Sequence, residues 1–443
     1  MTDHLDIARR LVDMVGDRAE AEALVHGGTS ALTRFANSFI HQNVAETGTT
    51  ASLRLAVDGR VASSGTNRVD DEGLSRLVDD TLEIASLQPV DPDWPGVAPR
   101  AEVPDVDHVD PSTEAATPED RAAVVADFVA AGEGYRAAGY CDTEDGIVAF
   151  ANSRGQTAVG RSTRATLDGI HQTGESAGNG HRTSQAFADL DGSEVGALAA
   201  ERARMGTGAY DVKPGEYEVV LAPEAVGTIA IFLGYYGFNG KQVAEGQSFV
   251  DLGGAQFDEG FSLADDPLAP GSLGVAFDSE GVPKRRVQLV RDGVTIGVVH
   301  DRRSASRLGS ESTGHANPGS ATYGAVPTAL TIEAGPKPVE DLIASIDRGL
   351  YVATFNYCRI LDPKTMVVTG LTRNGTFMIE NGEITGAVTN LRFTQSFVEA
   401  LGPGRLEGIG DDARFADSEF GAGMVRAPSV HLAAWNFTGG AEG

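Results

Sequence analysis

The alternation of apolar and polar positions divides the chain into short helical and strand-like runs. Residues 4–15 set Leu5, Ala8, Leu11, Val12 and Val15 on one helical face. Residues 21–26, 32–42 and 50–57 read as strands, with Asp58-Gly59 as a hairpin turn and 61–64 as the return strand. Helical spacing resumes over 70–87 through Leu74, Leu77, Val78, Leu82, Ile84 and Ala85. Residues 1–88 thus predict an N-terminal mixed α/β domain. Over 89–116 prolines recur and no apolar period survives, which predicts a linker or extended crossing segment. Thr117-Pro118-Glu119-Asp120 then supplies an N-cap, a proline at the first helical position and acids in the first turn. The helix it opens runs to about Gly132 and begins a second part of the N-terminal region, 117–210, with strands between 139 and 188 and a helix over 193–205.

Residues 211–443 read as a β-rich C-terminal domain. Asp292-Gly293 predicts a hairpin between 286–290 and 294–299, and Asn381-Gly382 another between 377–380 and 384–388. Further strands are expected at 327–333, 350–355 and 425–436, and a short helix at 395–401. Residues 250–284 form a Gly/Asp-rich loop of a length that compact domains seldom keep without a use for it. A strand over 217–221 leads into Pro223-Glu224, which opens a helix apolar on nearly every side as far as Phe238. Such a helix is buried, and it is too short to cross a bilayer. The expected fold class is α+β, with the larger domain built around this buried central helix.

Length and charge narrow the function. A chain of 443 residues implies two or three domains. Its net charge is −28, and its lysines (Lys213, Lys241, Lys284, Lys337, Lys364) are scattered, so a nucleic-acid partner is excluded. The acidity is read as serving solubility. Cys141 and Cys358 match no metal or redox spacing. With no apolar signal core in residues 1–20 and no membrane-spanning run, a cytoplasmic chain with no membrane partner is expected.

No two of the nine histidines lie four or five residues apart, so a local helical zinc motif is absent. A zinc site assembled from His300, His315 and an acid is the weaker reading beside structural histidines. Gly174-Glu-Ser-Ala-Gly178 has the spacing of a serine nucleophile elbow, but Asn179-Gly180-His181 does not start a helix, and a glycine-rich β connection is preferred. Asp265-Asp266 and Asp411-Asp412 are read as solvated loop charges and Cys358 as an inert thiol. Phosphate-binding glycine motifs are absent.

Several stretches, taken in order, resemble the TldD/PmbA family. They are Thr33 to Asn43, Leu53 to Gly59, Gly246 to Phe249, the Asp292-Gly293 hairpin with His300-Asp301-Arg302, and Ser312 to His315. Gly349 to Val352, Asp362-Pro363, Ile379 to Ile384 and Arg426 to Pro428 follow in the same order. In the family's TldD branch the buried helix carries His-Glu-x-x-x-His, and a cysteine near the C-terminus is the third zinc ligand. Anchoring this chain at Gly240 and Gly246 puts Ile231, Phe232 and Tyr236 at the His, Glu and His positions, and residues 400–443 hold no cysteine. The chain therefore resembles the TldE/PmbA branch, which lacks the motif. The resemblance implies a subunit without zinc or catalytic residues of its own, paired with a zinc-bearing TldD-like subunit or with itself, and acting on unfolded peptide. Ile231, Phe232 and Tyr236 would mark the lost zinc site, and His300 and His315 are candidate cleft residues. A hydrolase with a non-standard site of its own and a non-enzymatic peptide-binding homodimer stay open as alternatives.

Overall fold

The fold is α+β, in a computed structural model that describes residues 3–440. The first sheet contains β1 (Glu20–Ala36), β2 (Phe39–Val57), β3 (Arg60–Thr66), β4 (Arg136–Asn152), β5 (Thr157–Gln172) and β6 (Ala177–Ser184). Its order is β3-β2-β1-β4-β5-β6, with every neighbour antiparallel. The β1–β4 pairing joins the chain before the proline-rich segment to the chain after it in one continuous sheet. Helices α1 (His4–Val15) and α2 (Asp71–Leu87) cover one end, burying Ile7, Leu11, Leu74 and Leu77 against Val25 and Leu53. Between α2 and β4 lie a single turn, α3 (Pro111–Glu114), and α4 (Pro118–Ala131). The predicted cap of α4 is a reciprocal capping box between Thr117 and Asp120. α4 and α5 (Gly192–Met205) cover the other end, where Phe128 and Val195 pack on Phe35 and Leu167.

β1 and β2 are longer than the hydrophobic pattern predicts. The expected strand over 32–42 is cut by Asn37-Ser38, both left-handed, which turn β1 into β2. The strands also run straight through glycines that read as breaks in sequence. Gly28 lies opposite Gly48 on one side and Gly146 on the other, and a side chain there would overlap the Asp145 carbonyl.

The larger domain holds two sheets. They are formed by β7 (Gly215–Leu221), β8 (Leu263–Asp265), β9 (Val287–Arg291), β10 (Val294–Thr295), β11 (Leu330–Ile332), β12 (Arg348–Asp362), β13 (Val367–Glu380), β14 (Glu383–Ala387), β15 (Leu391–Ser396), β16 (Leu406–Ile409), β17 (Arg414–Ser418), β18 (Gly421–Ala427) and β19 (Val430–Gly440). One sheet has the order β10-β9-β8-β11-β18-β17. In the other, β12-β7-β19-β15-β13 closes on itself because β13 also pairs with β12. Trp435, Phe393, Phe397 and Phe355 pack against one another in the core of this domain.

Three local expectations need correction. The strand expected over 425–436 is two strands in different sheets, divided at Pro428, which has no N–H to continue the ladder. The return strand of the Asp292-Gly293 hairpin stops at Thr295, because Ile296 and Gly297 both donate to the Leu289 carbonyl. The short helix is confined to Phe397–Ala400, and the residues before it belong to β15.

The buried central helix is α6 (Pro223–Phe232), and all ten of its residues are buried. The regular helix ends six residues earlier than Phe238. It widens into a π-turn, Leu233–Gly237, closed by the Phe238 N–H donating to the Leu233 carbonyl at 2.8 Å. Gly237 is required there, since any side chain would enter the Phe249 ring. The proline-rich segment is pinned to the helix Arg302–Leu308 of the larger domain. Arg303 and Arg307 pair with Asp91 and Asp93, and Arg302 donates to the carbonyls of Pro95 and Gly96. Among the described residues no helix is long and apolar enough to cross a membrane.

Candidate functional site

A cleft of about 470 Å³ opens where β5 and β6 face the larger domain. Its walls include Asp168, Ile170 and Asn179 on the sheet side, and Glu224, Thr354–Asn356, Arg373-Asn374 and Asp417–Glu419 opposite. A neighbouring cavity of about 550 Å³ shares Gln172, Ala177, Arg373 and Asn374 with it. Both β12 and β13 are irregular here. Their register shifts between Val352 and Thr354 and again between Asn356 and Arg359, and Tyr357 and Asn374 sit at positive φ.

The glycines that resembled a nucleophile elbow form the sheet wall. Gly178 and Gly180 lie against the α5 backbone, with no room for a side chain. Strand alternation then turns Asn179 and His181 to the opposite side. Ser176 is held by Thr173 (2.8 Å) and donates to the Ala203 carbonyl (2.5 Å), so its hydroxyl is engaged in a turn and has no histidine base.

His181 is the centre of the polar group in this region. It sits directly across from Asp168 in the ladder, and its Nδ1 lies 3.1 Å from Asp168 Oδ2. Its Nε2 lies 3.0 Å from Thr183 Oγ1. Asp417, from β17, completes a group whose ligand atoms all lie within 4.8 Å of one another. Burial alone would lower the His181 pKa, but the hydrogen bond and charge of Asp168, with Asp417 and Glu224 nearby, raise it. Desolvation raises Asp417 to about 6 despite His181.

Glu224, in the first turn of α6, is fully buried beside this group. Burial would raise its carboxyl, but Arg414 at 2.9 Å and Arg202 at 3.8 Å lower it to about 2. Its Oε2 has no hydrogen-bond partner. Arg202 reaches this position from α5, donating also to the carbonyl and side chain of Asn179.

Ile231 and Phe232 are buried and Tyr236 is half-buried. Phe232 stacks on Phe420 with ring centres 5.3 Å apart, meets Phe397 edge-on at 6.0 Å and touches Tyr236 at 5.6 Å. His300 and His315 are elsewhere, buried, and neither lines this cleft. His300 packs against Gly240 with Nδ1 3.4 Å from Ser304, and burial lowers its pKa. His315 Nε2 lies 2.6 Å from Asp265, whose other oxygen accepts from the Ala329 N–H. Asp265 is therefore no solvated loop charge but half of a buried pair, because β8 carries it inward. Cys141 and Cys358 are buried free thiols, both raised by desolvation, Cys141 to about 12.

Sequence reasoning did not single out Asp168, Asp417, Glu224 or Arg414. They come from β5, β17, α6 and β17, and no local spacing joins them. The one available signal was an acid, Glu224, in an otherwise apolar helix.

Residues 214–439 match the family model described as PmbA/TldA metallopeptidase C-terminal domain, and residues 21–85 match PmbA/TldA metallopeptidase domain 1. A metalloprotease of Methanothermobacter thermautotrophicus is 26% identical over 286 residues, covering 62% of each chain, just under two thirds of that relative's length. The metalloprotease PmbA of Escherichia coli O157:H7 is 26% identical over 458 residues, covering 98% of this chain and 96% of that one. Among solved structures, TldE from Thermococcus kodakarensis superposes with a TM-score of 0.87 at 19% identity, over 98% of this chain and 99% of that one, a likeness of fold.

Proposed function

The chain belongs to the PmbA/TldD metallopeptidase family, and on that premise we propose that it is a TldE/PmbA-type subunit of a TldD/TldE-type proteolytic complex acting on unfolded peptides. The observation that carries the reading is the content of α6 and of the π-turn that follows it. At the positions set against the branch's zinc ligands and base stand Ile231, Phe232 and Tyr236, none of which offers the imidazole or carboxylate the chemistry needs. Phe232 packs against Phe397, Phe420 and Tyr236, and Ile231 is buried in the same apolar core. These residues do not fit a zinc ion, and no step of hydrolysis is assigned to this chain.

The helix shape supports the same alignment. His-Glu-x-x-x-His spaces its histidines by five, one more than a regular helix needs to bring two ligands onto one face. The π-turn at Leu233–Gly237 adds one residue to that turn. On this reading the backbone of the motif is retained while its ligands are replaced by packing residues.

The subunit would contribute a wall to a peptide chamber, with zinc supplied by a TldD-type partner that polarises the peptide carbonyl and activates water. The test is purification alone and after co-expression with a TldD-type protein, followed by cleavage of a labelled unfolded peptide. The expected result is a mixed complex that cleaves, while this chain alone does not. Cleavage by this chain alone, or no mixed complex, would overturn the reading.

A further inference from the structure

We propose that Asp168, His181 and Asp417 form a divalent-cation site that joins the N-terminal sheet to the larger domain, separate from the zinc positions on α6. Asp168 and His181 come from β5 and β6, and Asp417 from β17, so a bound ion would tie the two walls of the cleft together. One imidazole and two carboxylates within 4.8 Å of one another suit a first-row ion that accepts nitrogen and oxygen, such as zinc or cobalt, over magnesium.

The hydrogen-bond directions around His181 carry the argument. Thr183 donates its hydroxyl hydrogen to Thr166 Oγ1 at 3.2 Å. Its lone pairs are then free to accept from His181 Nε2–H at 3.0 Å. This fixes the ring as a metal ligand's ring is fixed, by a hydrogen bond from its distal nitrogen. With the Nε2 proton so placed, Nδ1 faces Asp168 Oδ2 at 3.1 Å. An ion bound between Nδ1 and Oδ2 takes the place of any ring proton there, as it does when a histidine becomes a metal ligand.

A second, independent feature points to the same place. Glu224 Oε2 is fully buried, lines the cleft and has no hydrogen-bond partner, Arg202 standing off at 3.8 Å. A cation on the neighbouring group would add to the positive charge that Arg202 and Arg414 set against this buried carboxylate.

The test is titration of the full chain with cobalt, followed by visible absorption and by competition with zinc. One equivalent should bind. Asp417→Asn and Asp168→Asn should each weaken binding at least tenfold, and Thr183→Val, which removes only the group that holds the ring, by about 10- to 100-fold. Each variant's melting temperature is measured without metal, and the wild-type melting temperature should rise on cobalt addition. Either failure to take up one equivalent or uptake unchanged in both aspartate variants would overturn the site. Neither result bears on peptide cleavage by the mixed complex, so the two proposals stand or fall separately.

Discussion

The carboxylate of Glu224 and the guanidinium of Arg414 meet at 2.9 Å, 190 residues apart in sequence, the carboxylate buried and the guanidinium half-buried. The pair ties the start of α6 to β17. Arg414→Met leaves Glu224 buried with only the more distant Arg202. It should cost about 3–5 kcal/mol, the usual cost of orphaning one member of a buried ion pair. Urea denaturation checks this, and Glu224→Leu/Arg414→Met should recover most of the loss.

A second buried network sets the pH dependence of stability. Glu22 and Glu280 share Arg54, and Asp278 lies beside them. Desolvation raises Glu22 to about 7 and Asp278 to about 8, against ordinary values of 4.5 and 3.8. The folded state therefore holds protons that the unfolded chain has released. The stabilisation from these protons is complete below about pH 4 and is lost as pH rises through 7 to 8. Unfolding free energy should fall over that window, and Glu22→Gln should flatten the slope between pH 4.5 and 7. An equal slope in wild type and variant would contradict the assignment.

His315→Ala separates a structural from a functional role for this histidine. Its partner Asp265 is fully buried, so the variant should lose about 3–5 kcal/mol of stability. Peptide cleavage by the mixed complex, measured where the variant is still folded, should not change.

Gly237→Ala tests the π-turn. The added methyl would fall inside the Phe249 ring, in a closely packed core. A loss of about 1–3 kcal/mol is expected from overpacking, read as a lowered melting temperature.

Placing Ile231→His, Phe232→Glu and Tyr236→His together, with a cysteine added near the C-terminus, should yield no peptidase. The groups that would orient new ligands are absent, since Phe232 is surrounded by Phe397, Phe420 and Tyr236. Cleavage of an unfolded peptide by this variant alone would refute the expectation.

Much of the local structure was legible in the sequence. The Thr117 N-cap, the Asp58-Gly59, Asp292-Gly293 and Asn381-Gly382 turns and the apolar character of α6 depend on neighbouring residues alone. The length of β1 and β2 was not legible, because Gly28, Gly48 and Gly146 weaken a strand locally and are needed only once three strands lie side by side. The π-turn at the end of α6 was not legible either, since it accommodates Phe249 from a later loop.

The same division holds for the site. Sequence by itself determined which side chains the central helix carries, and a side chain's capacity to bind metal is fixed by its identity. Only the tertiary structure decided which groups are brought together. His315 meets Asp265 inside the domain, and Asp168, His181 and Asp417 meet at the cleft, because strand pairing and the packing of one domain on the other set those distances. Spacing along the chain carries no information about them.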